Sequence, residues 1–448
     1  MLSRWELMPL RCGPPLPRFL GIWWPWVGQC EDSPPGPPGP PPPLPPPNNR
    51  EGMPPLEGYG AVSRGGEGGQ VIVVDTLRES GPGSLRAALE SQGPRIVVFR
   101  VGGFFNLSYE IAITDGRLTV AGETAPDPGV ILRSQPGNPR RLIRIGGGVS
   151  QPEHIVIRYI TMAKGKWTDA DAADNIVIRS GAYIIIHNVS SWFATDQSMS
   201  IDPEPGRVAH DVTFQHNIFA ATLYPHSTGI LVASVASDVN NISVHHNLCA
   251  HISHRVPVRA TAEHPMNVQV ASNIIYNWAI TTRNKGTPKI DYCSNLWKAG
   301  PWTMDRNGQY DLIGHEFDMD KIPSLNLIGN RAEPFHSVFP EYGQREMVTY
   351  QLPSREGDIL APPSFFRGAP LIPGPSIPIT LEPPASLLTT LLPRVGNSHR
   401  MERGSTWVPR RHIIDKKLVA DVLAGTGPAR NEDIMHQDNF GGYGDFIP

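Results

Sequence analysis

Val212-Thr213-Phe214-Gln215-His216-Asn217-Ile218 returns in altered form as Ile242-Ser243-Val244-His245-His246-Asn247-Leu248 and again as Val268-Gln269-Val270-Ala271-Ser272-Asn273-Ile274. Each copy joins a short strand-forming run to an asparagine followed by an aliphatic residue. Asn188-Val189 and Asn295-Leu296 extend the series, and spacings of 29, 30, 26 and 22 residues suit one solenoid coil of three short strands and three turns. Stacked coils bring these asparagines together, so that each side-chain amide satisfies turn backbone groups and bonds to the next in the row. The pattern predicts an all-β chain wound as a right-handed parallel β-helix.

The same texture extends in both directions. Val71-Ile72-Val73-Val74, Ile96-Val97-Val98-Phe99, Leu118-Thr119-Val120, Val130-Ile131-Leu132, Ile155-Val156-Ile157, Ile176-Val177-Ile178, Tyr183-Ile184-Ile185-Ile186 and Leu325-Asn326-Leu327 are further short strands. Strands this short, without alternating amphipathic helices, argue against a doubly wound sheet or an eight-fold α/β barrel. Ser84 before Leu85-Arg86-Ala87-Ala88-Leu89-Glu90 reads as an N-capped short helix covering one end of the stack. Beyond Ala332 the pattern weakens, and the proline-rich stretch from Pro353 to Pro393 is expected to run as an extended loop along the outside. Asp415 to Val422 reads as a short amphipathic helix ended by Gly425. The organisation expected is a leader at 1–33, a proline-rich linker at 34–56, the β-helix at 57–335 and a C-terminal segment at 336–448 packing on it.

The chain has 448 residues, 40% hydrophobic and 18% charged, enough apolar material for a long core and with no apolar run that spans a membrane. A net charge of −3, from 39 Lys+Arg against 42 Asp+Glu, supplies no broad basic field for nucleic acid. A soluble monomer without nucleic-acid or membrane partners is expected. Arg4, Arg11 and Arg18 precede Phe19-Leu20-Gly21-Ile22-Trp23-Trp24-Pro25-Trp26-Val27, a poor secretion signal that points to a secreted or extracellular protein. Pro34 to Pro47 is a stiff polyproline spacer. Cys12, Cys30, Cys249 and Cys293 have no zinc-binding spacing, and the last two read as small buried hydrophobes within strands.

Glu57-Gly58-Tyr59-Gly60-Ala61, Ser63-Arg64-Gly65-Gly66, Asp75-Thr76-Leu77, Ser80-Gly81-Pro82-Gly83-Ser84-Leu85-Arg86 and Val98-Phe99-Arg100-Val101-Gly102-Gly103 together resemble the opening of the pectate lyase family. Ala121-Gly122-Glu123-Thr124-Ala125-Pro126 and Val419-Ala420-Asp421-Val422-Leu423-Ala424-Gly425-Thr426-Gly427 are similar to its bacterial-type members. The resemblance implies a polysaccharide lyase that cleaves an acidic, uronate-containing glycan by β-elimination. In that family calcium binds the sugar carboxylate, an arginine removes the C5 proton, and a lysine and a second arginine hold the substrate. The C5 proton is hardly acidic until the neighbouring carboxylate is neutralised, which a divalent cation and nearby cations accomplish.

Carried over residue by residue, the resemblance gives Asp174 as one calcium ligand with Asp171 and Asp169 close by, and Asp196 as a second; Ser200 stands where many members carry another aspartate, with Asp202 nearby. His187-Asn188 replaces the family's Asp-His pair. Arg255 in Arg255-Val256-Pro257 matches the proton acceptor. The second arginine falls at Ala260, one residue past Arg259, and the lysine at Thr228, so Arg259 and Thr228 are the substrate-binding candidates. His226 and His254 are alternative bases, since a histidine near neutral pH accepts a proton more readily than an arginine. These two and His245, His246 and His251 show no recognised metal-ligand spacing. The losses at Thr228, Ser200, His187 and Ala260 leave an alternative, a catalytically degenerate β-helix acting as a glycan-binding or structural surface protein. Hydrolysis by paired carboxylates ranks last, because no suitably spaced aspartates stand out.

Overall fold

The computed structural model describes residues 53–280, 282–303, 312–316, 318, 320–333, 344–351, 358–371, 374–402 and 406–442. The leader, nearly all of the proline-rich linker, Cys12, Cys30 and the tail from Tyr443 lie outside the described residues. Three long sheets of ten, nine and seven strands run the length of the body, here the first, second and third sheets. The chain visits them in turn. One coil passes through Ala209–Gln215 in the first, Ile218–Ala220 in the second and Thr228–Ser234 in the third, then returns to the first at Val239–His245. Neighbouring strands in all three are parallel, and the winding is right-handed, as crossovers between parallel strands of one sheet are.

The bend from first to second sheet needs one residue with positive φ, taken coil after coil by Asn188, His216, His246, Ser272 and Ser294 at φ between 50 and 54°. The asparagine row occupies the next position. It consists of Asn217, Asn247, Asn273, Asn295 and Asn330, with Nδ2 to Oδ1 bonds of 2.9–3.1 Å between neighbours. Each Nδ2 also donates to the carbonyl of the penultimate residue of the first-sheet strand one coil earlier, as Asn247 does to Phe214 O in the strand that ends at Gln215. Asn188 is therefore one residue out of step with the expected row: Ser190 pairs with Ile218, so Val189 occupies the ladder position and Asn188 the positive-φ position, where asparagine is also favoured. Gln344 closes the far end, its Oε1 accepting from Asn330 Nδ2 at 2.7 Å.

Alternate residues of every sheet fill one continuous interior, including Ile143, Ile176, Met199, Ile230, Val244 and Val270. The helix at Leu85–Glu90 carries its Ser84 cap, with Oγ accepting from Ala87 N at 3.2 Å, and buries Leu85 and Leu89 against this core. Residues 384–422 supply a second apolar layer: Leu387, Leu391, Ile414, Leu418 and Val422 cover Trp192, Ile218, Leu248 and Ile274 on the outer face of the second sheet. The expected C-terminal helix forms at Ile413–Ala424, with Gly425 at φ 72° as its cap. The proline-rich segment before it is not wholly extended, because Pro384–Thr390 is helical: proline fits the first turn, where its missing N–H has no partner to lose. Cys249 is buried in the core and Cys293 half-buried, both in strands.

Candidate functional site

The seven-stranded third sheet carries the candidate residues. Its core-facing positions include Ile143, Ile176, Met199, Ile230 and Ala260, which by alternation turns Arg144, Val177, Ser200, Leu231 and Arg259 outward in one registered row. Ala260, where the resemblance placed the second arginine, is fully buried in the core. Arg259 is the residue on the outer face.

Asp174 and Asp196 stand just ahead of adjacent strands, Ile176–Ile178 and Gln197–Ile201. Asn175 locks the turn that presents Asp174: its side chain accepts from Lys164 N and donates to Met162 O, Ser191 Oγ and Trp192 O. Asp174 accepts from Gln197 N at 3.0 Å and Ser200 Oγ at 2.5 Å. Asp196 Oδ1 accepts from Gln197 Nε2 at 2.7 Å and Thr228 Oγ1 at 3.4 Å, and lies 3.9 Å from His226 Nδ1 and 4.0 Å from an Arg255 Nη. Burial pushes the Asp174 carboxyl up to about 6, with Ser200, Gln197 and Arg141 opposing and the Asp196 charge adding to the rise. Asp196 is also raised by burial, against the pull of Arg255, His226 and Thr228. Two buried carboxylates, one of them further raised by the charge of the other, form among oxygen donors a set that could hold a hard cation.

Asp171 is placed differently. Its oxygens accept from Trp167 N, Thr168 N and Thr168 Oγ1, and one stands 3.9 Å from the buried Lys164 Nζ. Burial raises this carboxyl, but the Trp167 amide, Lys164 and Thr168 outweigh it and hold it below the usual range. It closes a turn and is not drawn to Asp174. Asp169 pairs instead with Lys166 at 3.0 Å, and Asp202 with Arg179 at 2.5 Å.

The cationic side of the site comes from the coils that follow. Arg255 sits in a turn at φ 65°, before the cis Val256-Pro257 bond, with its Nε buried and without a hydrogen-bond partner. Arg259 is held at 3.0 Å by Glu316, and burial lowers its guanidinium despite that partner. His254 pairs in parallel with Thr228, and burial, reinforced by Arg255, Arg283, Arg259 and His226, pushes its ring down to about 3. That ring is neutral and weakly basic at pH 7. His226 is exposed beside Asp196, whereas Thr228 is 1% exposed and spends its hydroxyl on Asp196. Sequence reasoning missed Arg283 and Arg141, which no motif surrounds and which register brings beside His254 and Asp174, and it gave no role to Gln197, the neighbour of Asp196.

These positions define a parallel β-helix with a carboxylate pair and an arginine pair on the outer face of one sheet. Probable pectate lyase C of Emericella nidulans is 34% identical over 227 residues, covering 50% of this chain and 48% of that protein. The Aspergillus terreus and Aspergillus oryzae proteins of the same name are 32% and 33% identical over 287 residues, covering 61% of this chain and 62% of theirs. The match thus spans half to three-fifths of the relatives' length. No protein-family profile matches. Among solved structures, jun a 1, the major allergen from cedar pollen, superposes with a TM-score of 0.54 at 12% identity, over 76% of this chain and 92% of its own. A pectate lyase bound to hexasaccharide superposes at 0.50 with 13% identity, over 77% and 97%. In sequence the chain is similar to proteins named pectate lyase C, and in fold to these solved parallel β-helices. Among the described residues no helix is long and apolar enough to cross a membrane.

Proposed function

We propose that the protein is a polysaccharide lyase that cleaves a pectate-like, uronate-containing glycan by calcium-assisted β-elimination on the third sheet. The observation that carries this reading is the placement of Asp196 close to both Asp174 and Arg255 on the face that also carries Arg259, in a chain similar to pectate lyases. Asp174 and Asp196 would hold the calcium, which when bound neutralises the sugar carboxylate and acidifies the C5 proton. The contacts of Asp196 fall on Oδ1, which leaves Oδ2 to face an incoming cation. Arg255 is the proton acceptor carried over from the family, and Asp196 orients its guanidinium. Arg259 and the neighbouring Arg283 favour a polyanion and the negative charge that develops at the uronate as the proton leaves. His254 is neutral, and its weak basicity makes it a poorer acceptor; His226 lies at the exposed margin, where it can meet a sugar hydroxyl.

A polymer of this kind does not cross membranes, so the activity belongs outside the cell. A crystal soaked in calcium tests the cation: oxygens of Asp174 and Asp196 are expected at about 2.3–2.6 Å from a single ion. Incubation with polygalacturonate tests the reaction, through an unsaturated product that absorbs in the ultraviolet. A second reading, a glycan-binding protein without catalysis, draws on a neutral Thr228, buried against Asp196, where the resemblance places a lysine, and on Arg259 being neutralised by Glu316. Retained glycan binding with no bond cleavage would select it.

A further inference from the structure

On the far side of the coil from the third sheet, at the bend between first and second sheets, His245 and His246 converge with Glu57. His245 ends the strand Val239–His245, and His246 takes the positive-φ position of the bend at φ 53°. Glu57 belongs to the leading segment that crosses the outside of the first sheet, where Glu57 N donates to Gln215 Oε1, Tyr59 N to Ser243 Oγ and Gly60 N to Thr213 Oγ1. All three side chains are buried, and one ligand atom from each lies within 4.8 Å of the others.

The hydrogen bonds decide what the pair of rings can hold. His245 Nε2 stands 3.2 Å from Glu57 O, a carbonyl that only accepts, so this nitrogen carries hydrogen. His246 Nε2 stands 3.4 Å from Glu382 Oε1, a carboxylate also paired with Arg394, so it carries hydrogen as well. Each neutral ring then has its lone pair on Nδ1, and the two Nδ1 atoms face each other at 2.8 Å. Two lone pairs at that distance repel. A metal ion uses both lone pairs and leaves the outer N–H groups on a backbone carbonyl and a carboxylate, the partners that orient metal-bound histidines.

We propose that His245 Nδ1, His246 Nδ1 and the Glu57 carboxylate form a structural site for a first-row transition-metal dication. At metal–nitrogen distances of about 2.0–2.1 Å, a 2.8 Å separation subtends roughly 85–90°, which suits nickel or copper directly; tetrahedral zinc needs the rings to open to about 3.3 Å. Imidazole nitrogen excludes calcium as the natural occupant and so separates this site from Asp174 and Asp196. The ion would tie the leading segment to the coil, and Thr380, whose N and Oγ1 donate to Glu57, would bring the C-terminal segment with them.

The full chain, stripped with a chelator, is titrated separately with zinc and nickel by calorimetry in millimolar calcium, and its crystals are measured at the metal absorption edge. The expected result is one ion per chain, an anomalous peak between the two Nδ1 atoms, a raised melting temperature, and affinity at least tenfold lower in both His246→Gln and Glu57→Gln. Circular dichroism checks that the variants fold; if His246→Gln does not, Glu57→Gln and the wild-type anomalous map decide. Absence of binding to the folded wild-type chain, a peak elsewhere, or unchanged affinity in Glu57→Gln overturns the proposal.

Discussion

Replacing Asn273 by alanine takes a fully buried side chain from the middle of the asparagine row. Its Nδ2 donates to Val244 O and Asn295 Oδ1, both at 2.9 Å, and its Oδ1 accepts from Asn247 N at 2.9 Å and Asn247 Nδ2 at 3.0 Å. A net hydrogen bond contributes about 1 kcal/mol, and a buried group left without a partner costs about 1–3 kcal/mol. Val244 O and Asn247 N lose a partner in a dry interior, so Asn273→Ala is expected to cost roughly 4–6 kcal/mol. Asn217, at the start of the row, accepts only from Val189 N and donates to Ile186 O and Asn247 Oδ1. Asn217→Ala should therefore cost about 1 kcal/mol less. Urea denaturation of both variants and the parent, read as midpoint shifts at constant slope, measures the difference. A loss below about 1.5 kcal/mol for Asn273→Ala, or a larger loss for Asn217→Ala, would refute the view that the row is a cooperative ladder.

Calcium affinity should be flat above about pH 7 and fall roughly tenfold per unit as pH drops below 6, because a proton on Asp174, pushed up to about 6, competes with the cation; calorimetry across pH 5–8 reads this. Arg255→Lys should lower kcat by about 10²–10³ at unchanged stability, since a compact ammonium does not reproduce the planar guanidinium; equal loss of stability would mark a merely structural arginine. Asp415, fully buried against Ser190 and Trp192, has its carboxyl pushed up to about 6 by burial, although both neighbours donate to it. The folded chain keeps that proton at pH values where the unfolded chain has released it. This contribution should thus decline as pH rises from about 4 to 6 and level off above, by roughly 3 kcal/mol, and Asp415→Asn should flatten that part of the stability profile.

The first sheet was legible because its strands, such as Ile155-Val156-Ile157, are apolar on both faces: one face meets the core and Val156 meets Leu56 and Ala61 of the leading segment. Most strands of the third sheet escaped notice for the opposite reason. Gln197–Ile201 and Arg259–Ala262 alternate core residues with serine, threonine and arginine, so the functional surface interrupts the apolar runs that announce a strand. The resemblance carried Asp174, Asp196 and Arg255 to neighbouring positions. It could not show that Asp171 closes its own turn, nor that Arg259 rather than Ala260 faces outward, because both depend on strand register. The convergence of Glu57 with His245 joins residues 188 apart in sequence, and no local spacing foreshadows it.

Elimination and hydrolysis both create a reducing end at every cut, but only elimination leaves an unsaturated ring on the other fragment. Counting ultraviolet-absorbing ends against new reducing ends, with polygalacturonate and calcium supplied to the folded protein, therefore tests the proposed chemistry most directly. The expected ratio is about one, with both signals lost on calcium removal. New reducing ends without ultraviolet absorbance, or glycan binding with neither signal, would contradict it.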